Sequence, residues 1–166
     1  WVSDCNGPED SGLWYFGTDG EDYLLRSSEQ LINELLMCGL INKKALFFSG
    51  KGMGGHAAVY FSIIFDGTGC YAHNPTTNLI DSSYVLTKHK SLFNDIFGDH
   101  DTHQYREIEQ LLDTFHSTSN ILISFDISTE NSFYVEQILP LNVKPVQIIK
   151  TSEYNFDSIF SRFEMN

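Results

Sequence analysis

Basic residues are scarce in this chain. Ten Lys and Arg stand against 22 Asp and Glu, a formal net charge of −12. Such a surface repels phosphate backbones, which argues against nucleic-acid binding. The few Lys and Arg are scattered and form no patch. Long apolar runs are missing too, and no window reaches the roughly 18 consecutive apolar residues of a membrane span. No basic-then-apolar leader opens the sequence. It starts on Trp1 rather than Met, so residues 1–166 are expected to be a single domain cut from a longer protein. Cysteine is rare. Cys5, Cys38 and Cys70 have no metal-ligand spacing. The odd count, with Cys38 and Cys70 inside apolar segments, reads as buried reduced thiols and points to the cytoplasm. Repeats, low-complexity tracts and linkers are absent.

What is present is a core. Hydrophobic residues make up 42% of the chain and aromatics 14%, enough for one compact domain. Leu13-Trp14-Tyr15-Phe16 is a short apolar run ended by Gly17, expected to be a buried strand. A helix is expected over 28–38, with Leu31, Ile32, Leu35 and Leu36 as its stripe and Gly39 as its stop. Residues 44–49 read as a second strand and 56–65 as a nearly all-apolar helix. Strands follow at 70–73, 120–125 and 146–149. Helices are expected at 104–117, 128–137 and 157–163, and a mixed polar stretch at 81–103. Strands alternating with helices predict an α/β domain with a mostly parallel sheet covered on both faces.

Two segments carry chemistry. The first is Gly50-Lys51-Gly52-Met53-Gly54-Gly55, with four glycines in six residues between a strand and a helix. The second is Asn74-Pro75-Thr76-Thr77-Asn78, at the carboxyl end of the next strand. Ligands of parallel sheets bind outside the carboxyl ends of the strands, and a helix amino terminus adds unpaired N–H groups. The glycine turn resembles the nucleophile elbow of the α/β-hydrolases, G-x-S-x-G. The Asn-Pro-Thr-Thr-Asn stretch is similar to a segment of hydrolase-like domains in bacterial surface-polysaccharide and secretion-associated proteins. The resemblance spans roughly residues 13–160. It implies a three-layer α/β-hydrolase-like sandwich.

The departure from that pattern is as informative as the match. The elbow's third position should hold the serine nucleophile, and here it is Gly52. The resemblance places the acid at Asp126, after the fourth strand. It places the base in the loop after the fifth, where Phe156 precedes Asp157 and histidine is missing. This implies a degenerate serine-esterase-like domain, a binding or scaffolding module in bacterial surface-polysaccharide synthesis or export. It would need neither metal nor cofactor. Its ligand would be a small acyl or sugar compound, or its partner a protein of that pathway. The remaining pocket residues would be Lys51, Met53, His56, His73 and Asn74. Each also has a plainer reading: His56 as a packing residue, Asp126 as a turn residue, and His89, His100 and His103 as solvated loop.

Two alternatives stay open. An active esterase or acyltransferase could use Ser49 or another serine, with His73 or a histidine from 89–103 as base. It would need a serine oxygen within about 3 Å of an imidazole nitrogen. A nucleotide-binding domain could use the Gly50-x-Gly52-x-x-Gly55 spacing, though no acidic residue ends the next strand.

Overall fold

A computed structural model describes residues 12–79, 90–98, 108–126, 128, 133–141 and 146–151. Its elements are α1 (Tyr23–Met37), β1 (Phe47–Lys51), α2 (Met53–Phe65), β2 (Gly69–His73), α3 (Lys90–Phe97), α4 (Ile108–Phe115), β3 (Asn120–Asp126) and β4 (Val146–Thr151). A π-type turn, Tyr134–Ile138, and a 3-10 turn, Leu139–Leu141, precede β4. The four strands lie in chain order, β1-β2-β3-β4, and every pair is parallel. Each neighbouring pair therefore needs a crossover. Helix α2 supplies the first, and α3 and α4 lie within the second.

Period-two alternation divides the sheet. Cys70, Ala72, Ile121 and Ile123 point to one face and join the main core with Val59, Tyr60, Ile63 and Phe65 of α2. Tyr71 and Leu122 point to the other face, with Phe47 and Ile149 beside them. His73 and Ser124 on that second face are also buried, at 2% and 0% exposure, so both faces are covered. Helix α2 is apolar all round because it is buried all round. Its end is fixed by Asp66, in the left-handed region at φ 45°. The Asp66 carboxylate accepts from the Thr118 N–H at 2.7 Å and from the hydroxyls of Thr118 and Ser117, tying the helix end to the start of β3. The Thr118 N–H, above all, holds that carboxyl below its usual range.

Several sequence expectations need correction. Leu13–Phe16 is a turn, with Trp14 at φ 51° and Tyr15 at φ 62°. Its apolar residues mark burial against α2 and α3, which an apolar run alone cannot distinguish from a strand. Helix α1 starts five residues before the expected Ser28, at Tyr23. Residues 43–45 form a 3-10 turn rather than strand, capped by Asn42 accepting from the Lys44 N–H. Helix α3 lies inside the stretch read as polar; Phe93, Ile96 and Phe97 are its buried stripe. Where a helix was expected over 128–137, residues 134–138 form a π-type turn, followed by a 3-10 turn at 139–141. Cys38 is exposed, whereas Cys70 is buried as anticipated and its thiol is pushed up by desolvation. Cys5, Phe156, the three loop histidines at 89, 100 and 103, and the helix expected at 157–163 lie outside the described residues. None of the described helices is long and apolar enough to cross a bilayer.

Candidate functional site

The glycine turn joins β1 to α2 as the spacing predicts. Gly52 is the helix N-cap, with φ 55° and ψ −118°. That conformation disfavours any side chain, and glycine takes it without steric cost. A Cβ placed on Gly52 would meet no atom within 4 Å, so the bend presents open space where a side chain would project. Gly50 is the opposite case: a Cβ there would lie 2.1 Å from the Gly54 carbonyl oxygen. Gly55 lets α2 approach the end of β2, with a Cβ 3.3 Å from the His73 carbonyl and from Pro75.

Strand alternation then assembles a cluster. Lys51, His73 and Ser124 are register neighbours across β1, β2 and β3. Asp126, two residues beyond Ser124, shares their face. The backbone binds the bend to β2, with the Gly52 N–H donating to the His73 carbonyl at 2.9 Å. The His73 imidazole Nδ1 lies 2.8 Å from Ser124 Oγ, which lies 2.9 Å from the Tyr71 hydroxyl. Burial lowers the His73 pKa, the Lys51 ammonium lowers it further, and Asp126 opposes both. Asp126 is held below its usual range chiefly by the Ser128 N–H and hydroxyl, each 2.8 Å from Oδ1, with His73 and Lys51 adding to the effect.

The other expected pocket residues take distinct places. Asn74 is left-handed at φ 45°. Its N–H donates to the Ser124 carbonyl, and its side-chain oxygen accepts from the Asp126 N–H at 2.9 Å, so it locks β2 to β3 just below the cluster. Met53 is half-buried, and its sulfur accepts from the Trp14 N–H at 3.4 Å. His56 is buried, with Nδ1 2.7 Å from the Thr76 carbonyl and its ring 6.0 Å from Phe16. Its Nε2 is buried with no hydrogen-bond partner among the described residues.

Sequence reasoning missed Ser124, Tyr71 and Trp14. The first two were hidden as strand residues. Their signal was parity: Tyr71 and His73 are two apart on one strand. Trp14 was hidden by the mistaken strand. Gln137, also missed, holds the Asn-Pro-Thr-Thr-Asn loop. Its side-chain oxygen accepts from the Thr77 N–H at 2.6 Å and the Asn78 N–H at 2.8 Å, and its amide donates to the Asn78 carbonyl at 3.0 Å.

A cavity of about 530 Å³ flanks β1. Leu31, Phe47, Phe48 and Phe61 give it apolar walls, and Ser49 and Lys51 lie among its polar lining.

His56 has a consequence for stability. Burial pushes its pKa down to about 4, against the Thr76 bond, which raises it. The unfolded chain therefore binds this proton first, and stability rises with pH between about 4 and 6.5. Lowering the pH through that window is expected to cost about 3 kcal/mol at this residue. In urea melts at pH 7 and pH 4.5, His56→Gln should remove a measurable part of the acid sensitivity. An unchanged difference between the two pH values would refute the assignment.

No protein-family model matches the sequence, and no curated protein sequence does either. Solved structures do match. The capsule O-acetyltransferase of Neisseria meningitidis serogroup A superposes with a TM-score of 0.66 at 15% identity, covering 98% of this chain and 70% of that one. The glycosylation-associated protein complex Gap123 of Streptococcus agalactiae gives 0.59 at 14% identity, over 94% of this chain and 34% of that one. Pyrococcus horikoshii acylaminoacyl peptidase gives 0.55 at 16% identity, over 96% and 28%. With the all-parallel sheet and the strand–bend–helix of β1 and α2, these likenesses establish an α/β-hydrolase-like fold.

Proposed function

We propose that this chain is a catalytically degenerate α/β-hydrolase-like domain that binds an acyl-bearing ligand or a protein partner in bacterial surface-polysaccharide synthesis or export. The observation that carries it is Gly52. The bend turns from strand to helix at positive φ with open space at its tip, which supports reading it as an elbow, and the residue there has no side chain. The Met53 N–H would be the remnant of the oxyanion hole. The cavity beside β1 is walled mainly by apolar side chains, which favours an acyl group over a bare sugar. Among the neighbours are an O-acetyltransferase of capsule, one form of it in complex with CoA, and a glycosylation-associated protein complex. Those activities and assemblies belong to those proteins; they supply the setting for this reading.

The test is direct. The purified chain is expected to turn over no p-nitrophenyl ester and to take no label from a fluorophosphonate probe. Stoichiometric labelling of any serine would end the degenerate reading.

One observation favours a second reading, an active esterase with relocated residues. Ser124 Oγ and His73 Nδ1 are within hydrogen-bond reach. Ser124 is fully buried, however, and its hydroxyl is also engaged with Tyr71. Ser49, the serine named first for that role, is exposed on β1. Mass-spectrometric mapping of any labelled serine separates the two readings, since only relocation places the adduct on Ser124 or Ser49.

A further inference from the structure

We propose that the outer edge of β1 is a docking strip for an extended segment of a partner protein, one whose apolar middle is flanked by acidic residues. The segment would add a strand to the sheet. This rests on reading the chain as a binding module and names how its protein partner is held.

Three observations carry it. The first is a row of backbone groups. Strand β1 stands at one end of the described sheet, beside β2. The Leu46 carbonyl and the Gly52 N–H bond toward the β2 side, to Thr68 and His73. Backbone groups alternate along a strand, so Ser49 and Lys51 direct theirs to the opposite side. Among the described residues no strand lies there.

The second is the shape beside that row. All five residues of β1 line the cavity of about 530 Å³, those of one sheet face and those of the other. The cavity therefore follows the edge of the strand rather than either face. Helix α1 contributes Leu31, 47% exposed, and Ile32 to its walls. An acyl chain would cover those walls and leave the outward peptide groups unbonded. An extended peptide covers the walls and bonds the edge.

The third is charge. Lys43 and Lys44 precede β1 and Lys51 ends it, three of the ten basic residues in a chain of net charge −12. Lys43 lies 4.0 Å from the Asp66 carboxylate, and Lys44 and Lys51 are exposed. No acidic residue is among the described lining of the cavity. The strip is positive at both ends and apolar between. A second copy fits it poorly. Antiparallel pairing of two β1 edges would bring Lys51 of each copy toward the Lys43–Lys44 end of the other, and two chains so acidic repel overall. Edge lysines also discourage indiscriminate pairing, so they select an acidic strand.

The experiment titrates a nine-residue peptide into nitrogen-15-labelled protein. The peptide has five alternating valines and threonines with two glutamates at each end. The Ser49 and Lys51 amide signals are expected to shift, and their hydrogen exchange to slow about 10-fold or more at saturation. The same peptide with lysines for glutamates should bind at least about 10-fold more weakly at low salt. Lys44→Glu with Lys51→Glu should reverse that preference. Ser49→Pro removes an outward N–H and leaves the β2 side intact. Edge strands tolerate proline, so this variant should melt close to wild type and lose the peptide.

A peptide that shifts no β1 amide at millimolar concentration overturns the proposal. So does equal binding of the two peptides, or binding that survives Ser49→Pro. If Ser49→Pro does not melt cooperatively, the charge-reversed variant decides. Decanoate that shifts these amides where the peptide does not would assign the groove to an acyl chain. Protection of the Ser49 and Lys51 amides in a dimer of the free protein would assign the edge to a second copy. Either result overturns the proposal. Fluorophosphonate labelling of the wild-type chain ends the degenerate reading and leaves the peptide result in place, so the two failures are distinct.

Discussion

Gly50→Ala is expected to cost at least about 4 kcal/mol and to lower the melting temperature by roughly 8–16 °C for a chain of this size. The added methyl would lie 2.1 Å from the Gly54 carbonyl oxygen and 2.3 Å from its carbon. Both are backbone atoms in the first turn of α2, so no side chain can rotate away. Relief requires α2 to move off β1. That helix is buried along nearly its whole length, with Val59, Tyr60 and Ile63 at 1% exposure or less. Close-packed interiors resist such a shift, and overpacking carries a penalty of its own. Gly54→Ala is the matched control. Its Cβ would meet nothing within 4 Å, and alanine favours helix, so stability should hold or rise slightly. Thermal melts of the two variants give the comparison. Equal stability would mean that β1 and α2 do not approach each other as described.

Gln137→Ala should cost at least about 3 kcal/mol, from its lost bonds and the space it leaves. Gln137 has no exposed surface. Its side chain satisfies the Thr77 and Asn78 N–H groups and the Asn78 carbonyl, and its backbone carbonyl accepts from the Thr77 hydroxyl. Truncation leaves two donors and one acceptor of the Asn-Pro-Thr-Thr-Asn loop without those partners, at about 1–3 kcal/mol for each group that stays dry, and opens a cavity. Gln137→Glu keeps the acceptor but faces a carboxylate oxygen toward the Asn78 carbonyl and buries a charge, so it should not rescue. Urea unfolding measures both. The loop follows His73 directly, so amide exchange at Thr77 and Asn78 should rise in each variant. A loss below about 1 kcal/mol would show that water replaces the amide at little cost.

Much of the fold was legible because its elements are strongly patterned. The 56–65 segment is apolar at almost every position, and only a buried element is written that way. The strands at 70–73, 120–125 and 146–149 were placed within two residues of their observed ends. The four glycines of the bend fixed the strand-to-helix junction. Leu13–Phe16 misled because an apolar run records burial, not conformation; Trp14 and Tyr15 adopt positive φ, which nothing in their residue types signals. Helix α3 was overlooked because its three buried residues are embedded among Lys, Asn and Asp. In the site, Lys51, His73 and Asp126 were each named from sequence, and strand register places them on one face. The roles of Ser124 and Tyr71 depend on pairing between strands about 50 residues apart, which no local pattern encodes. Asn74, read as a pocket residue, makes two hydrogen bonds to β3 that its residue type alone did not signal.

The backbone at residue 52 also bears on reversibility. Any residue with a side chain at φ 55° and ψ −118° would carry a conformational penalty of about 1–3 kcal/mol, and glycine does not. A change from serine to glycine at this position would relax the molecule, and the reverse change would strain it. Without a benefit from hydrolysis, selection for stability alone would hold the site in its present form. On the proposed degenerate reading, the loss of a serine here would act as a ratchet.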